Sequence, residues 1–358
     1  MEYAQARSLT RPRTAEIAVL GLALVIAGAH LMAVEYGAAM QYLLLALAAV
    51  VVCAATALGG SRLGLAAAAI SVGAVADSAL SGDWWALAFE LAVMAIAGPL
   101  AILAGASIRR QEGEIDEVRR LVRQRIRRLK GEPGYWHRVA TTRMGALVTG
   151  IEARFIEEAL SSERPGVVVD IGAGSGRLEY ALTRWSAHVI ATEMDDDELR
   201  RMEDDERVTP VVVAGLPSLP LRDECVDWLT GIEAPAATDE EWFPLECARV
   251  LRPGGGVVLS VYNARSHKGF VAGLRSHRRT RSGVPWANLY YQKDLRAHIE
   301  RWRAAGFTVQ RKQGFYWSPL PRSSNSAWVA PLAMLERALG LRRLHRWSPW
   351  VLLELRKS

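Results

Sequence analysis

Cysteine is nearly absent from this chain of 358 residues. The three that occur, Cys53, Cys225 and Cys247, lie far apart and in unrelated sequence contexts. They form neither the paired spacing of a zinc site nor a disulfide framework. The sequence therefore predicts no metal site, and its cysteine usage suits a reducing compartment.

Charged side chains are equally scarce across residues 17–106. Four apolar runs fill this part of the chain, and each has roughly the 20 residues that a helix needs to cross a hydrocarbon core. The first run is too long for a cleaved signal peptide and has no convincing cleavage site behind it. We therefore predict an α-helical transmembrane domain of four spans within residues 1–106. The runs are about 15–34, 38–60, 63–81 and 84–106.

Arginine falls on one side of these predicted spans. It occurs before the first run, between the second and third, and after the fourth, whereas the other two loops carry Glu35 and Asp83. Loops rich in arginine and lysine stay in the cytoplasm. The pattern predicts a multi-pass protein of the cell membrane, with its N-terminus and its C-terminal two-thirds cytoplasmic. The arginines are Arg7, Arg11, Arg13, Arg62, Arg109 and Arg110.

His30, Asp77 and Glu90 lie toward the outer ends of the predicted spans. A carboxyl group inside a bilayer is costly, so its presence needs an explanation. One explanation is a small polar site for a cation or a lipid headgroup. The other is an interfacial position, or hydrogen bonds to neighbouring helices. The sequence leaves both open.

Residues 107–164 are predicted to connect the membrane part to a second domain. From Arg109 to Lys130 apolar residues recur every three or four positions, which indicates one helix. Its arginine-rich half suits an anionic membrane surface, and the same spacing fits a short coiled coil. The sequence GEPG at 131–134 ends this helix. One or two further helices follow, and they include His137, which is either structural or folded over a site.

Residues 165–358 alternate short β-rich runs with helical patterns. Buried parallel strands read as nearly continuous apolar runs, and such alternation is typical of a doubly wound α/β sheet. The predicted strands are Val167–Ile171, Val189–Thr192, Val208–Val213, Val226–Thr230 and Val257–Tyr262.

The first of these strands runs into a glycine loop, VVVDIGAGSGR at 167–177. Asp170 is followed by Gly172, Gly174 and Gly176, and then by a helical pattern from Arg177 to Trp185. Such a loop places backbone N–H groups and a helix N-terminus beside a ligand. Glu193, at the end of the second strand, is placed to accept hydrogen bonds from ribose hydroxyls. The loop therefore predicts a dinucleotide or another adenosine-bearing ligand.

Two further segments distinguish a dinucleotide from another adenosine-bearing ligand. PSLPLRDECVDWLTG at 217–231 puts a Leu-Pro turn before a strand, and ARVLRPGGGVVLSV at 248–261 is a helix end, a Pro-Gly turn and a strand. The glycines are spaced G-x-G-x-G, whereas a nicotinamide-binding loop usually has G-x-G-x-x-G. With these motifs the chain resembles the class I S-adenosylmethionine-dependent methyltransferases, especially the group that includes the ubiquinone/menaquinone-biosynthesis methyltransferases. The resemblance covers about residues 165–315 and implies a Rossmann-like sheet.

The same resemblance implies S-adenosylmethionine as the cofactor and assigns its contacts. Asp170 and the three loop glycines would contact the methionine part, Glu193 the ribose and Met194 the adenine. Many family members have an acidic residue before the Leu-Pro turn, where this chain has Gly215. Adenine recognition would then rely on backbone groups from Ala214 to Leu216.

Candidate catalytic residues follow the fourth and fifth strands, because ligands of such sheets bind beyond the strand C-termini. A hydroxyl acceptor would gain from a general base. Glu233, just after the fourth strand, is the first candidate, and a solvated loop glutamate is its equal alternative. Tyr262 and His267, at and after the end of the fifth strand, are second candidates.

Residues 263–292 mix five arginines with four aromatic side chains. This composition suits an anionic amphiphile, docking on acidic lipids, or a solvated basic lid. A nucleic-acid acceptor is disfavoured, because acidic runs balance the basic charge of the domain. Four C-terminal tryptophans indicate either a membrane-interface belt or, in part, core packing. They are Trp317, Trp328, Trp347 and Trp350.

Together these features predict a membrane-anchored methyltransferase of a lipid-like acceptor: a phospholipid, an isoprenoid quinone or a glycolipid. Its predicted parts are 1–106, 107–164 and 165–358, and the membrane helices offer a surface for homo-oligomers. Two alternatives stay open. One is an anchored enzyme that methylates a soluble molecule or protein, and the other is a non-catalytic membrane sensor that binds the cofactor.

Overall fold

The computed structural model describes residues 84–213, 217–279 and 290–358. The chain divides into two compact units, Met1–Glu112 and Gly113–Ser358. The first three predicted spans lie outside the described residues, as do Gly215 and Leu216. Within the described ranges, no helix meets the length and hydropathy that a membrane crossing requires.

The first described helix, α1, runs from Trp84 to Ile126. It joins the fourth apolar run to the charged connector in one element, whereas the sequence predicted two. Arginine, glutamate and glutamine are good helix formers, so the change in composition near Arg109 does not end the helix. The helix ends shortly before the GEPG sequence, as predicted.

Residues 113–126 of α1 belong to the second unit and pack within it. Ile115 and Val122 are buried, and Arg119 donates from Nε to the Thr141 carbonyl oxygen at 2.9 Å. Arg125 and Arg128 pair with Glu203, at 3.7 and 3.1 Å. These three arginines contact the protein itself, and the expectation that the basic half of this helix lies on a membrane surface stays a prediction.

Two helices follow, α2 (Tyr135–Ala140) and α3 (Arg143–Ser161). Thr142 caps α3, because its side chain accepts a hydrogen bond from the Gly145 N–H. The buried face of α3 includes Met144 and Phe155, which lie against the rest of the domain. Both helices fall in the region where the sequence predicted one or two.

The core of the unit is a seven-stranded sheet in the order β3-β2-β1-β4-β5-β7-β6. The first five strands are parallel, and β7 runs antiparallel to both β5 and β6. The carboxyl ends of β1, β2 and β4 therefore share one edge. The strands are β1 (Val167–Ile171), β2 (His188–Glu193), β3 (Val208–Val212), β4 (Val226–Gly231), β5 (Leu251–Tyr262), β6 (Phe307–Phe315) and β7 (Trp350–Lys357).

Helices connect these strands. They are α4 (Glu179–Thr183), α5 (Asp196–Arg201), α6 (Pro235–Thr238), α7 (Phe243–Val250), α8 (His267–Arg279), α9 (Leu295–Ala304) and α10 (Val329–Ala338), with a 3₁₀ turn at Leu341–Arg343. The five predicted strands and the doubly wound arrangement are confirmed. The predicted helix from Arg177 to Trp185 is shorter, because the loop extends through Gly176 in a left-handed conformation.

Aromatic side chains close the core behind β4 and β5. Trp302 of α9 makes edge-to-face contacts with Phe243 of α7 and Phe307 of β6, with ring centroids 5.8 and 4.9 Å apart. Such pairs add to the free energy of burying the rings. Leu229 and Leu259, on the two central strands, are fully buried in the same cluster. This packing fixes the strand ends that carry the site.

Candidate functional site

The glycine loop after β1 has the backbone conformation that only glycine adopts easily. Gly172, Gly174 and Gly176 have φ angles of 73°, 56° and 87°. A Cβ atom at Gly172 would lie 2.8 Å from the Cβ of Ala234, so the close approach of two loops also demands glycine there. A Cβ at Gly174 would meet no described atom within 4 Å. Gly174 therefore presents bare backbone to open space.

Backbone hydrogen bonds tie this loop to the end of β2. The N–H groups of Gly172 and Ala173 donate to the Thr192 carbonyl oxygen at 2.9 and 3.0 Å. The Gly174 N–H donates to Glu193 Oε2 at 3.0 Å. Glu193 Oε1 accepts from the Met194 N–H at 2.7 Å. The Glu193 carboxylate thus lies at the junction of the loop and the second strand, and its contact with a ribose stays a prediction.

Asp170 and Glu179 form a buried pair of carboxyl groups beneath the loop. Asp170 accepts a hydrogen bond from Thr230 Oγ1, and Glu179 Oε2 lies 3.0 Å from the position of a Cβ on Gly176. Burial raises the pKa of both groups, and the charge of Asp170 raises the pKa of Glu179 further. Glu179 therefore holds its proton when Asp170 is ionised, and the loop rests on one negative charge.

A cavity of about 550 Å³ opens at this edge of the sheet. The glycine loop, Glu193 and Met194 form one side of it, and Asp195 and Glu198 lie nearby. The remaining wall consists mainly of aromatic and small apolar side chains from α2, from the segment after β4, and from the end of the insertion. Its aromatic members are Tyr135, Trp136, Trp242 and Tyr290.

His137 of α2 lies in the same cavity and contacts the glycine loop. Its side chain is only 2% exposed, and its Nδ1 lies 2.9 Å from the Ser175 Oγ. Its Nε2 is buried and has no hydrogen-bond partner among the residues that the structure describes. Burial, with the nearby Arg177 and Arg125, lowers the pKa of His137 to about 4. The imidazole is therefore neutral at neutral pH.

Glu233 also lines the cavity, but it belongs to a buried ionic cluster. Arg322 donates a hydrogen bond to Glu233 Oε2, and Arg177 Nη2 lies 3.6 Å from Oε1. Arg177 in turn pairs with Glu152 at 2.7 Å. The alternative of a solvated loop glutamate is wrong. A carboxylate stabilised by two guanidinium groups is a poor base, so the geometry does not support the predicted catalytic role.

Neither Tyr262 nor His267 lines the cavity. Tyr262 is buried among aromatic rings, with its ring centroid 4.6 Å from that of Tyr290 and 5.0 Å from that of Trp350. Burial raises the pKa of the Tyr262 hydroxyl far above its ordinary value. His267 stacks on Trp317 at 5.9 Å. The prediction that these two residues meet the acceptor is not supported, because β5 and α8 turn their side chains into neighbouring packing.

Comparison with known proteins finds a known domain around this site. Residues 169–259 match the model of the methyltransferase domain family. The ubiquinone biosynthesis O-methyltransferase of Leptothrix cholodnii is 23% identical over 189 residues, which cover 49% of this chain and 78% of that protein. The malonyl-[acyl-carrier protein] O-methyltransferase of Methylococcus capsulatus is 27% identical over 201 residues, covering 52% and 66%. The chain carries a class I S-adenosylmethionine-dependent methyltransferase domain.

A solved structure of geranyl diphosphate methyltransferase with S-adenosylmethionine overlaps 64% of this chain and 92% of its own, with 16% identity and a TM-score of 0.41.

The residues of the methyltransferase cavity fit S-adenosylmethionine. The bare backbone of Gly174 leaves open space beside the loop, where the methionine part would lie, and the Glu193 carboxylate faces the same cavity. Met194 is exposed at the cavity wall, where the adenine would lie. The predicted contacts from Gly215 and Leu216 lie outside the described residues. The cofactor supplies a methyl group on a positively charged sulfur.

Two features of the methyltransferase site were not identified from the sequence. One is the contact of His137 with Ser175, which joins residues on separate elements. The other is the buried cluster, whose members come from α3, the glycine loop, the end of β4 and the segment before α10. No spacing in the sequence relates these positions, although the serine inside the G-x-G-x-G loop marks one partner.

Proposed function

We propose that this methyltransferase transfers a methyl group to a hydroxyl oxygen of a lipid-like acceptor at a membrane. The observation that carries the proposal is the aromatic and apolar part of the cavity lining. Tyr135, Trp136 and Tyr290 lie there, together with Ile232 and Pro235. Such a wall suits a flat or branched apolar group, because aromatic side chains supply a large contact area.

An oxygen acceptor is supported by both curated relatives, which are named as O-methyltransferases. One of them acts in ubiquinone biosynthesis, according to its name. Four acidic residues line the cavity, Glu193, Asp195, Glu198 and Glu233, and they disfavour a negatively charged carboxylate as the acceptor. An amine acceptor needs less help from a base.

Membrane association is supported first by the four apolar runs of the sequence, which together fill most of residues 15–106. A soluble acceptor gives no reason for four spans, whereas an acceptor that stays in the bilayer favours an enzyme held beside it.

The surface of α10 supports the same proposal. Trp328, Leu335 and Leu339 recur at helical spacing, so they share one face of this helix. All three are exposed, with 56% of Trp328 and 61% of Leu339 accessible. Leu344 and Trp347, in the segment that follows, are exposed as well. We call these five residues the α10 surface.

The charge around the α10 surface favours an anionic lipid bilayer as its partner. Arg343 and Arg346 are exposed beside it, and Arg346 lies over the Trp347 ring, 5.5 Å from the centroid. Residues 327–347 contain one acidic side chain, Glu336, and it is buried and paired with Arg342 at 3.0 Å. Tryptophan and arginine together are typical of the headgroup level of a membrane.

The α10 surface also lies beside the connector. Arg337 of α10 pairs with Glu114 of α1 at 3.7 Å, and Arg154 of α3 pairs with the same carboxylate at 3.3 Å. In the sequence, Glu114 comes shortly after the apolar run predicted to end at residue 106. Within the second unit, α10 is therefore tied to the segment that follows this run in the sequence.

The experiment is methyl transfer from labelled S-adenosylmethionine in membranes that contain the full chain. The matched control is Gly174→Val, which fills the loop. We expect label in the organic phase with the wild type and none with the variant. The labelled lipid should keep its methyl group in alkali, as an ether does, whereas a methyl ester releases methanol.

Three results would contradict the proposal. Label confined to the aqueous phase or to protein would mean that the apolar runs serve only as a membrane anchor. An alkali-labile methyl group would mean a carboxylate acceptor. Cofactor binding without any transfer would indicate a sensor.

A further inference from the structure

We propose that His137 is the catalytic base that removes the proton from the acceptor hydroxyl, and that Ser175 is the residue that positions its ring. This inference rests on the proposed function, because only an acceptor with a hydroxyl group requires such a base.

The position of the imidazole is fixed by two elements. His137 belongs to α2, and its Nδ1 lies 2.9 Å from the Oγ of Ser175, which lies between Gly174 and Gly176 in the loop. Both residues line the cavity. The imidazole ring therefore contacts the glycine loop, which is expected to hold the methionine part of the cofactor. That part carries the methyl group that is transferred.

The second ring nitrogen supplies the chemistry. When Nδ1–H donates to the Ser175 Oγ, the lone pair of Nε2 is available as an acceptor. Within the described part of the chain, Nε2 is buried and has no hydrogen-bond partner. Leaving such a group unpaired costs free energy, so a partner is expected in the working enzyme. The acceptor hydroxyl in this cavity is that partner.

The charges around the ring keep it neutral before the reaction. Arg125 of α1 and Arg177 after the glycine loop both disfavour the imidazolium, and burial acts in the same direction. The carboxylates of Glu193, Asp195, Glu198 and Glu233 line the same cavity. A neutral imidazole is the form that accepts a proton, so the ring is ready when the acceptor binds.

A base whose pKa has been lowered is sufficient for this reaction. As the acceptor oxygen forms its bond to the methyl carbon, it gives up electron density, and its O–H proton becomes strongly acidic. The carbon–sulfur bond breaks with its electron pair moving to sulfur, and the proton passes to His137 Nε2. The positive charge that began on sulfur ends on the imidazolium, which loses its proton to water after the product leaves.

Other groups in the cavity are less suited to this role. Glu233 is held by Arg177 and Arg322 and cannot take a proton without weakening both contacts. Burial raises the pKa of Tyr290 to about 12, so this hydroxyl keeps its proton at neutral pH.

The test compares His137→Asn and His137→Gln in the full chain, reconstituted in lipid. Asparagine keeps a polar atom near the position of Nδ1 and glutamine keeps one near Nε2, but neither amide takes a proton. We expect kcat to fall by about 100-fold to 10,000-fold in both, the range lost when a general base is removed. Binding of S-adenosylhomocysteine, measured by calorimetry, should stay within about twofold of wild type in His137→Asn, because the loop contact survives.

Chemical rescue separates a base from a structural histidine. Imidazole added to His137→Ala should restore part of kcat, since the free base enters the space that the side chain leaves. If His137→Asn keeps most of the wild-type kcat, or if imidazole fails to restore His137→Ala while calorimetry shows an intact cofactor site, the assignment is wrong. A wild-type enzyme that forms no methyl ether would instead contradict the proposed function.

The positioning role of Ser175 is tested by a separate measurement. Nitrogen NMR of the His137 ring, assigned by comparison with His137→Asn, reports which nitrogen carries the proton. We expect Ser175→Ala to change this tautomer balance and to lower kcat by about tenfold with little change in KM, because orientation contributes to the reaction step. Unchanged ring signals together with an unchanged kcat would exclude Ser175 as a positioning residue.

Discussion

Arg322 donates a hydrogen bond to the Glu233 carboxylate, and both side chains are buried. The pair joins two distant segments, the end of β4 and the segment before α10. Arg322 also lies over the rings of Trp136 and Trp350, 5.0 and 5.5 Å from their centroids. Burial lowers the pKa of Arg322 to about 9, so the guanidinium is still charged at neutral pH. The cluster therefore holds the wall of the cavity together.

Removing one partner of this pair should destabilise the domain. We expect Arg322→Leu to lower the free energy of unfolding by about 3–5 kcal/mol, because Glu233 is left as a buried charge with a weaker partner. Denaturant unfolding measures the change. The control is Arg184→Leu, which breaks an exposed pair with Glu157 and should cost under about 1 kcal/mol. Equal costs for the two variants would contradict the buried ion pair.

The glycine loop gives a prediction about the cofactor. Gly174→Val should abolish binding of S-adenosylmethionine, since the side chain fills the open space beside the loop and strains a backbone with φ of 56°. Gly340→Val is a matched control. That glycine also has a positive φ, 64°, and open space around it, but it lies outside the cavity. Calorimetry should show normal binding for Gly340→Val, and a loss in both variants would point to backbone strain alone.

Glu193 provides a second test of cofactor binding, with a smaller expected loss of affinity. Glu193→Ala should weaken cofactor binding by about 1–3 kcal/mol, the cost of losing a buried hydrogen bond to a charged group. The variant also removes the acceptor of the Gly174 N–H, so part of the effect comes from the loop. Glu206→Ala, an exposed acidic residue outside the cavity, should leave affinity unchanged. Normal affinity for Glu193→Ala would remove this residue from the ribose site.

The sequence predicted the half of the site that lies in one stretch of chain. Asp170, the three glycines and Glu193 follow from strand ends and backbone requirements, which are local. The sheet order follows in the same way, because alternating strands and helices allow few arrangements. The proposed proton-accepting half was predicted only in part, because the sequence left His137 as either structural or folded over a site. His137 reaches Ser175 only because α2 folds back over the loop, and Glu233 is neutralised by arginines far away in sequence.

The buried pair of Asp170 and Glu179 predicts how stability depends on pH. Burial and the charge of Asp170 raise the pKa of Glu179 from 4.5 to about 8. Between these two pH values the folded state binds a proton that the unfolded state has lost. The contribution of Glu179 to stability is therefore fully present below pH 4.5 and is lost as the pH rises toward 8. Glu179→Gln should remove this part of the dependence and stabilise the domain at the upper end. Unfolding curves at several pH values measure it, and an unchanged slope in the variant would contradict the assignment.

The α10 surface predicts contact with lipid that depends on position and charge. In proteoliposomes, a polarity-sensitive dye on Leu339→Cys should be quenched by spin-labelled lipid, in a background where Cys53 and Cys225 are replaced by serine. The same dye on Leu245→Cys should not be quenched, although Leu245 is equally exposed, at 64% against 61% for Leu339. Leu245 belongs to α7 and is not part of the α10 surface.

Charge should decide the strength of that lipid contact. Quenching at Leu339→Cys should increase with the fraction of anionic lipid and decrease with salt, because each exposed arginine near such a surface contributes about 1 kcal/mol that salt screens. Replacing Arg343 and Arg346 by glutamine should have the same effect as salt. Equal quenching at Leu245→Cys and Leu339→Cys would contradict a defined docking face. Quenching that does not depend on lipid charge would mean that the tryptophan and leucine side chains alone account for the lipid contact.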